Sequence, residues 1–233
     1  METYNILVVD DDREIVRSLA RLLELEGYRV YKAYHGMEAL DILMSEQIHL
    51  ILLDVMMPRL NGLSALMKIR EKNNIPVIML SAKTEESDKV LGLSMGADDY
   101  VTKPYNTAEL MARVKSQLRR YFSLGAAISG GNDVLKNGGL VLNKNTKALT
   151  VDGEPVRLTA TEYKIMELLM SHPGYVFSAE EIYTRVWQEE AYGVENTVMV
   201  HIRRIREKIE ITPKNPKYLK VVWGIGYKIE KFE

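Results

Sequence analysis

The chain has 233 residues, of which 46% are hydrophobic and 27% charged, and its formal net charge is −1, values typical of a soluble globular protein with one large or two small domains. It contains no cysteine, which excludes disulfide bridges and thiolate metal sites. We expect a cytoplasmic protein without a membrane partner, because METYNILVVDDD is no signal peptide and no apolar run reaches the roughly 20 residues that span a bilayer.

Five short β-rich runs alternate with helical segments in the first half of the chain. They are NILVV (residues 5–9), RVYKAY (29–34), HLILL (49–53), PVIML (76–80) and YVT (100–102). The runs that begin near residues 6, 50 and 77 are apolar on both faces, as in a parallel sheet that helices cover. The pattern predicts a doubly wound α/β domain over residues 1–122.

A second pattern follows a segment rich in glycine and small polar residues, which we interpret as a linker over residues 123–137. The stretch GLVLNKNTKALTVDGEPVRL predicts an antiparallel sheet with an Asp-Gly turn at residues 152 and 153. Two capping boxes then begin helices, and a third helix is predicted at about 196–210. The boxes pair Thr159 with Glu162 and Ser178 with Glu181. With two closing strands in YLKVVWGIGYKIEKF, residues 138–233 form a predicted α+β domain.

Charged and hydroxyl side chains follow four of the predicted parallel strands. Strand one ends on Asp10, Asp11 and Asp12, strand three on Asp54, strand four on Ser81 and strand five on Lys103. Ligands of open parallel sheets bind outside the carboxyl ends of the strands, so we expect one shared site there.

The residue types at these strand ends favour phosphoryl chemistry. Crowded carboxylates repel one another unless a cation lies among them, and an all-oxygen site suits Mg²⁺. An aspartate can also form an acyl phosphate, whose oxygens Lys103 could bind and to which Ser81 could donate. Asp12 could instead cap the helix that begins near Arg13.

The segments VVDDD, LLDVMMP, MLSA and DDYVTKP resemble the receiver domain of two-component response regulators, a flavodoxin-like fold. The resemblance implies that Asp54 accepts a phosphoryl group from a sensor histidine kinase. It further implies a Mg²⁺ site, a lysine with a cis peptide to Pro104, and a switch pair. The Mg²⁺ ligands would be Asp10, Asp11, Asp54 and the carbonyl of Met56, the lysine Lys103, and the switch pair Ser81 and Tyr100.

A different class of protein shares part of this pattern. Asp10 and Asp12 match the D-x-D motif of haloacid-dehalogenase-like phosphatases, which also form an aspartyl phosphate. Those enzymes usually have Thr or Val where this chain has Glu14, and no insertion is long enough for a cap domain. The alternative is an aspartyl-phosphate-forming phosphohydrolase with a nucleic-acid-targeting module.

The segment ENTVMVHIRRIREKIE predicts an amphipathic helix with a basic outer surface. Val198, Ile202, Ile205 and Ile209 recur on one buried stripe. Thr197, His201, Arg204 and Lys208 line one flank of the stripe, Met199, Arg203 and Arg206 line the other, and Val200 and Glu207 point away from the core. A helix for the major groove beside a hairpin with Lys220 and Lys228 is a DNA-binding design.

The segments LTATEYKIMELLM, TVMVHIRRIREKI and VWGIGYKI resemble the winged helix-turn-helix effector domain of the OmpR/PhoB family, with a VanR-like wing. The resemblance implies that residues 188–193, after Trp187, contact RNA polymerase. It also implies a DNA-contacting set, which comprises Thr197, Val200, His201, Arg203, Arg204, Arg206, Lys220 and Lys228. Asn196 and Trp223 depart from the family pattern, since many members have basic residues there.

The combined resemblance predicts a transcriptional regulator, not an enzyme, that dimerises when phosphorylated. Two receivers would hold two effector domains on tandem half-sites of double-stranded DNA. We expect opposite charges to pair across the dimer: Lys89 with Glu109, Asp99 with Arg113, and Asp98 with Arg120.

Overall fold

The computed structural model describes residues 4–82, 92–93, 95–123, 134–188 and 194–232. The chain divides into two compact units, over residues 1–121 and 122–233. Among the helices in the described ranges, none is both long and apolar enough to cross a membrane.

The first unit is built on a parallel five-stranded sheet with the strand order β2-β1-β3-β4-β5. Every residue of β3 and β4 is buried, because helices cover both faces of the sheet. The predicted doubly wound α/β domain is confirmed, and each predicted strand boundary is within one residue. The strands are β1 (Asn5–Val9), β2 (Arg29–Ala33), β3 (Leu50–Asp54), β4 (Val77–Ser81) and β5 (Asp99–Thr102).

In the described part of the first unit, four helices have both ends assigned, and they connect or follow these strands. Side chains at their N-termini accept hydrogen bonds from otherwise unpaired backbone N–H groups. Asp12 accepts from the N–H groups of Glu14 and Ile15, as the sequence predicted. Helix α1 buries Val16, Leu19, Ala20 and Leu23 against the sheet. The helices are α1 (Arg13–Leu25), α2 (Gly36–Ser45), α3 (Gly62–Lys72) and α4 (Thr107–Ser123).

Over its described residues, the second unit combines a four-stranded antiparallel sheet, three helices and a two-stranded hairpin. Both predicted capping boxes are present at the starts of α5 and α6. The predicted stripe of α7 is buried and contributes to a core that includes Trp187 and Phe177. The elements are β6 (Val134–Asn137), β7 (Leu140–Asn143), β8 (Ala148–Val151), β9 (Glu154–Val156), α5 (Ala160–Met170), α6 (Ala179–Trp187), α7 (Glu195–Ile209), β10 (Leu219–Val222) and β11 (Gly226–Ile229).

The end of the predicted linker is wrong, because its last four residues form β6. Asn137 donates to the carbonyl of Glu230 at 2.7 Å and accepts from the N–H of Phe232 at 3.0 Å. Leu135 packs against the core of the second unit. The strand is therefore held by long-range contacts that a local composition pattern does not contain. Residues 124–133 of the linker lie outside the described ranges.

Candidate functional site

Three carboxylates meet at the carboxyl ends of β1 and β3, which are neighbours in the sheet. Asp10 and Asp11 follow β1, and Asp54 is the last residue of β3. Side-chain oxygens of the three residues lie within 4.8 Å of one another. Asp10 and Asp54 are buried, whereas Asp11 is exposed to solvent. The predicted convergence of these acids is therefore confirmed.

Lys103 joins the two buried carboxylates. Its Nζ donates to Asp10 Oδ2 and to Asp54 Oδ1, each at 2.6 Å. Its backbone N–H donates to the carbonyl of Ser81 at 2.6 Å, and its peptide bond to Pro104 is cis, as predicted. The lysine therefore lies over the edge of the sheet, in contact with both buried carboxylates.

Backbone groups fix the two buried carboxylates. Met56 N–H donates to Asp54 Oδ2 at 2.7 Å, and Asp12 N–H donates to Asp10 Oδ1 at 3.0 Å. Behind Asp54, helix α3 begins at Gly62, where a Cβ atom would lie 1.9 Å from the Asp54 carbonyl oxygen. Only glycine permits this approach, so residue 62 sets how closely α3 follows the acid.

At Asp54 and at Lys103, burial shifts the pKa in one direction and the oppositely charged neighbours shift it in the other. Burial raises the pKa of the Asp54 carboxyl, Lys103 opposes this increase, and Asp10 adds to it. For Lys103, burial lowers the pKa, but hydrogen bonds to Asp10 and Asp54 outweigh burial and raise the pKa of the amine. Lys103 is therefore a stable cation that offsets part of the negative charge of the acids.

The residues at this edge fit a divalent cation. Three carboxylates and one ammonium group leave two uncompensated negative charges, which one Mg²⁺ would neutralise. The available donors are oxygens, which Mg²⁺ prefers. Asp11 lies on the solvent side, where water molecules could complete the coordination.

The predicted switch residues are both buried. Ser81 ends β4 and has no exposed surface. Tyr100 lies on the neighbouring strand β5 and is 4% exposed. Carbons of its ring lie 3.3 and 3.4 Å from the position that a Cβ atom of Gly92 would occupy. A movement of Tyr100 would therefore change packing around residue 92.

Helix α7 is buried over more of its surface than the sequence predicted. Val200 is 3% exposed, so the expectation that it points away from the core is wrong. The predicted DNA-facing residues Thr197, His201 and Arg204 are also buried. The physical reason is that α7 packs against both α5 and α6, with His201 beside Trp187. The exposed positions of α7 are Glu195, Met199, Arg203, Glu207 and Lys208.

Arg204 is engaged by a buried acid. Its Nη2 lies 2.9 Å from Oε1 of Glu162, which has no exposed surface. Glu162 Oε2 accepts from Lys208 Nζ at 2.6 Å and from Thr159 N–H at 2.8 Å. Although burial raises the pKa of Glu162, the charges of Arg204 and Lys208 lower it overall. An ionised glutamate therefore connects α5 to α7.

The β10–β11 hairpin forms the predicted wing. Lys220 and Lys228 lie directly opposite each other in its register. Lys228 Nζ donates to Glu230 at 3.1 Å, and Lys220 Nζ donates to the carbonyl of Pro216. The turn between the strands carries Trp223, which is 88% exposed. Basic residues therefore occupy the stem of the hairpin and an aromatic residue its tip.

Comparison with known proteins identifies both units. The response regulator receiver domain matches residues 6–115, and the C-terminal domain of transcriptional regulatory proteins matches residues 153–229. The chain is 44% identical to the regulatory protein VanR of Enterococcus faecium over 227 residues, 97% of this chain and 98% of that protein. The chain belongs to the OmpR/PhoB family of response regulators.

Other relatives of the family agree. The uncharacterized transcriptional regulatory protein YcbL of Bacillus subtilis is 42% identical over 226 residues, 97% of this chain and 100% of that protein. The structure of DrrB, a Thermotoga maritima OmpR/PhoB homolog, is 30% identical with a TM-score of 0.52 and covers 98% of this chain and 100% of that one. The predicted fold class is confirmed, and the chain is a two-component transcriptional regulator.

The phosphohydrolase alternative gains no support from the comparisons, since OmpR/PhoB members are transcription factors and not normally enzymes. The local geometry also disfavours it. Asp12, the second acid of the D-x-D match, accepts from two backbone N–H groups at the start of α1. The Asp12 side chain is thus a helix cap.

The charged residues predicted at a dimer interface are mostly paired within one chain. Asp98 is fully buried and binds Arg70 at 2.7 Å, so the expectation that it is an exposed partner of Arg120 is wrong. Asp99 does pair with Arg113, at 3.0 Å, but inside the same receiver. Arg113 also binds Glu109 at 2.9 Å. Lys89 lies outside the described residues.

Two residues near functional groups were missed by sequence reasoning. Tyr105 is half-buried close to the acids: burial raises the pKa of its phenol, and Lys103, Asp10 and Asp54 all perturb it. Its position two residues after Lys103 was the available signal. Glu162 was read only as part of a capping box, because a local motif cannot show that Arg204 and Lys208 approach it.

Proposed function

We propose that Asp54 accepts a phosphoryl group from a sensor histidine kinase and that this controls binding to promoter DNA. The observation that supports this most directly is the contact of Lys103 Nζ with both Asp54 and Asp10 at 2.6 Å. An ammonium group in that position can bind oxygens of a phosphoryl group attached to Asp54.

The proposed transfer uses a carboxylate oxygen of Asp54 as the nucleophile. It bonds to phosphorus as the bond between phosphorus and the kinase histidine breaks. Asp10, Asp11, Asp54 and the Met56 carbonyl would hold Mg²⁺, which when bound offsets negative charge on the phosphoryl group. Because Lys103 stays protonated, it supplies a further positive charge without a proton transfer.

The proposed switch starts at the neighbouring strand ends. A phosphoryl group adds charge and acceptor oxygens beside β4, where the Ser81 hydroxyl can donate a hydrogen bond. Movement of Ser81 would allow Tyr100 on β5 to repack. Homodimerisation would follow, with Glu109 and Arg113 of α4 as interface candidates once their present ion pair exchanges partners. Such a pair contributes only ~0.2–1 kcal/mol, so several contacts are needed.

Phosphorylation of the full chain should increase its affinity for DNA with two half-sites about one helical turn apart. We expect roughly a 10²-fold increase, because a linked second domain binds at high effective concentration. Footprinting on sites selected from a random pool shows how many half-sites are bound. Sedimentation at tens of micromolar shows whether the chain dimerises. A phosphorylated chain that stays monomeric and protects one half-site, with unchanged affinity, would contradict the proposal.

The proposed DNA-contacting residues fall into an exposed group and a buried group. Arg203 and Met199 are exposed on α7, and Arg206 is half-buried and donates to the Leu219 carbonyl at 2.8 Å. Arg204 would have to leave Glu162, or share it, to reach a base. Thr197, Val200 and His201 would likewise need to become accessible, and Lys220 and Lys228 would contact phosphates. Of the proposed RNA-polymerase contact at residues 188–193, Gln188 is the C-cap of α6, and residues 189–193 lie outside the described residues.

Two arginine substitutions should separate recognition from stability. Arg203→Ala should weaken DNA binding by ~1–3 kcal/mol and leave the free energy of unfolding within about 0.5 kcal/mol, because the side chain is exposed. Arg204→Ala should lower both the DNA affinity and the free energy of unfolding, since it removes a cation from buried Glu162. A DNA-binding titration measures the affinity, and urea unfolding followed by tryptophan fluorescence measures the stability. Equal unfolding free energies for the two variants would show that the Glu162 contact does not stabilise the domain.

A further inference from the structure

The tip of the wing exposes two large apolar side chains. Trp223 is 88% exposed and Ile225 is 62% exposed, on either side of Gly224, whose φ of +74° forms the turn. The other tryptophan of the chain, Trp187, has no exposed surface. A tryptophan carries about 150–250 Å² of surface that is stabilised when it leaves water. The wing tip therefore offers apolar surface that a binding partner could bury.

The stem beneath this tip carries two lysines. Lys220 and Lys228 are directly opposite each other on paired antiparallel strands. Lys228 pairs with Glu230 and Lys220 donates to the Pro216 carbonyl, so both ammonium groups are held on the stem, where they can attract a polyanion. The binding partner should therefore combine negative charge at its rim with apolar surface between the charges. The minor groove of duplex DNA has this combination, with phosphates at its edges and sugars and bases inside.

The wing is connected to α7. Arg206 Nε donates to the carbonyl of Leu219, the first residue of β10, at 2.8 Å. A helix in the major groove would therefore bring the hairpin to the adjacent part of the same duplex. A second copy of the chain fits the tip poorly, because two side chains are far less than the roughly 800 Å² that each partner of a stable interface buries.

We propose that Trp223, supported by Ile225, is an apolar wedge that enters the minor groove and partly unstacks one base step. The proposal rests on the DNA-binding function proposed above. The free energy of unstacking depends on the step and is lowest for flexible pyrimidine–purine steps. Trp223 is then a specificity-determining residue that selects such a step beside the half-site, without a hydrogen bond to any base.

Tryptophan fluorescence tests whether Trp223 contacts DNA. Because Trp187 is fully buried, acrylamide-accessible emission of the full chain reports Trp223, and Trp223→Phe should remove it. The probe is duplex DNA selected from a random pool by the phosphorylated wild-type chain, with binding followed independently by anisotropy of labelled DNA. We expect Trp223 emission to be quenched and protected from acrylamide as the DNA binds.

Parallel selection tests what Trp223 recognises. DNA selected by the wild-type chain should be enriched in a pyrimidine–purine step beside each half-site, and DNA selected by Trp223→Ala should keep the half-site but lose that step. On the wild-type site, Trp223→Ala should bind roughly 10- to 100-fold more weakly with an unchanged salt dependence. Lys228→Ala should instead reduce the slope of log affinity against log salt by about one unit. Ile211→Ala, which truncates a 99% exposed apolar residue outside the wing, should bind normally.

The outcomes distinguish failure of the wedge proposal from failure of the proposed DNA-binding function. If DNA binds while Trp223 stays accessible to acrylamide, or if both chains select the same flanking steps, the wedge is wrong and DNA binding stands. A parallel loss of affinity in Ile211→Ala would also overturn it, since the effect would be a general one. If the phosphorylated wild-type chain binds no duplex, the proposed function itself fails.

Discussion

Asp54→Asn should abolish covalent phosphorylation completely. With a small phosphodonor and Mg²⁺, the intact mass of the wild-type chain should rise by one phosphoryl group, and the mass of the variant should not change. The asparagine amide keeps an oxygen that can accept from Met56 N–H, so the loop is retained, but it is not a carboxylate nucleophile. The effect is therefore loss of the reacting group and not of the fold.

The matched control is Asp12→Asn, because Asp12 is also acidic and lies two residues from Asp10. Its side chain caps α1 at 2.8 Å from the N–H of Glu14, and asparagine caps helices equally well. Its labelling should equal that of the wild type. A phosphoryl group found on Asp10, or loss of labelling in the control together with hydrolysis of small phosphate esters, would favour the phosphohydrolase alternative.

The receiver site could be predicted because parallel strands determine where their ends meet. The strand pattern was clear from apolar runs such as Leu50–Leu53, and Asp10, Asp54 and Lys103 followed those runs directly. Once the sheet order is β2-β1-β3-β4-β5, these ends must share an edge. The parallel sheet therefore brings residues that are distant in sequence to one site.

The surface of the recognition helix could not be predicted in the same way. The period of its apolar residues located the stripe of Val198 and Ile202, but not how far neighbouring helices wrap around it. A polar residue such as His201 or Arg204 gives no signal of burial when its partner is distant in sequence. Glu162 is 42 residues from Arg204, and only the packing of α5 on α7 brings them together.

The partners of two predicted dimer residues, Asp98 and Asp99, could not be predicted for a related reason. The order of charges along the sequence does not show that Asp98 binds Arg70 inside one receiver, at 2.7 Å. Arg70 also donates to the carbonyls of Gly96 and Ile75, which ties α3 to residues that precede β5 and β4. A buried carboxylate without such a cation would be costly, so Arg70 stabilises Asp98 inside the receiver.

Glu162→Ala should lower the free energy of unfolding of the second unit by about 3 kcal/mol or more. The substitution leaves Arg204, a largely buried cation, without its acid, removes the partner of Lys208, and loses the bond to Thr159 N–H. Both tryptophans lie in this unit, so their fluorescence during urea unfolding of the full chain measures its stability. DNA affinity should fall as well, because Glu162 fixes α5 against α7.

Glu181→Ala is a closely matched control. Glu181 holds the same position in the capping box of α6 as Glu162 does in that of α5, and both accept from the N-cap N–H. Among the described residues no ion pair to Glu181 is seen, so its removal should cost only about 1 kcal/mol, the usual value of a cap. The difference between the two variants isolates the interaction of Glu162 with Arg204 and Lys208. Equal losses would mean that the ion cluster contributes nothing beyond the cap.

The same cluster predicts a dependence on pH. Because the pKa of Glu162 is lowered in the folded state, its ionic contribution is complete above the unfolded pKa of about 4.3 and is lost as the pH falls through the folded pKa. Glu162→Gln cannot titrate, so the stability difference between wild type and this variant should be constant near neutral pH and should shrink only under acid conditions. A difference that narrows between pH 8 and 6 would show that another group controls it, because lowering of a carboxyl pKa acts only below the unfolded value.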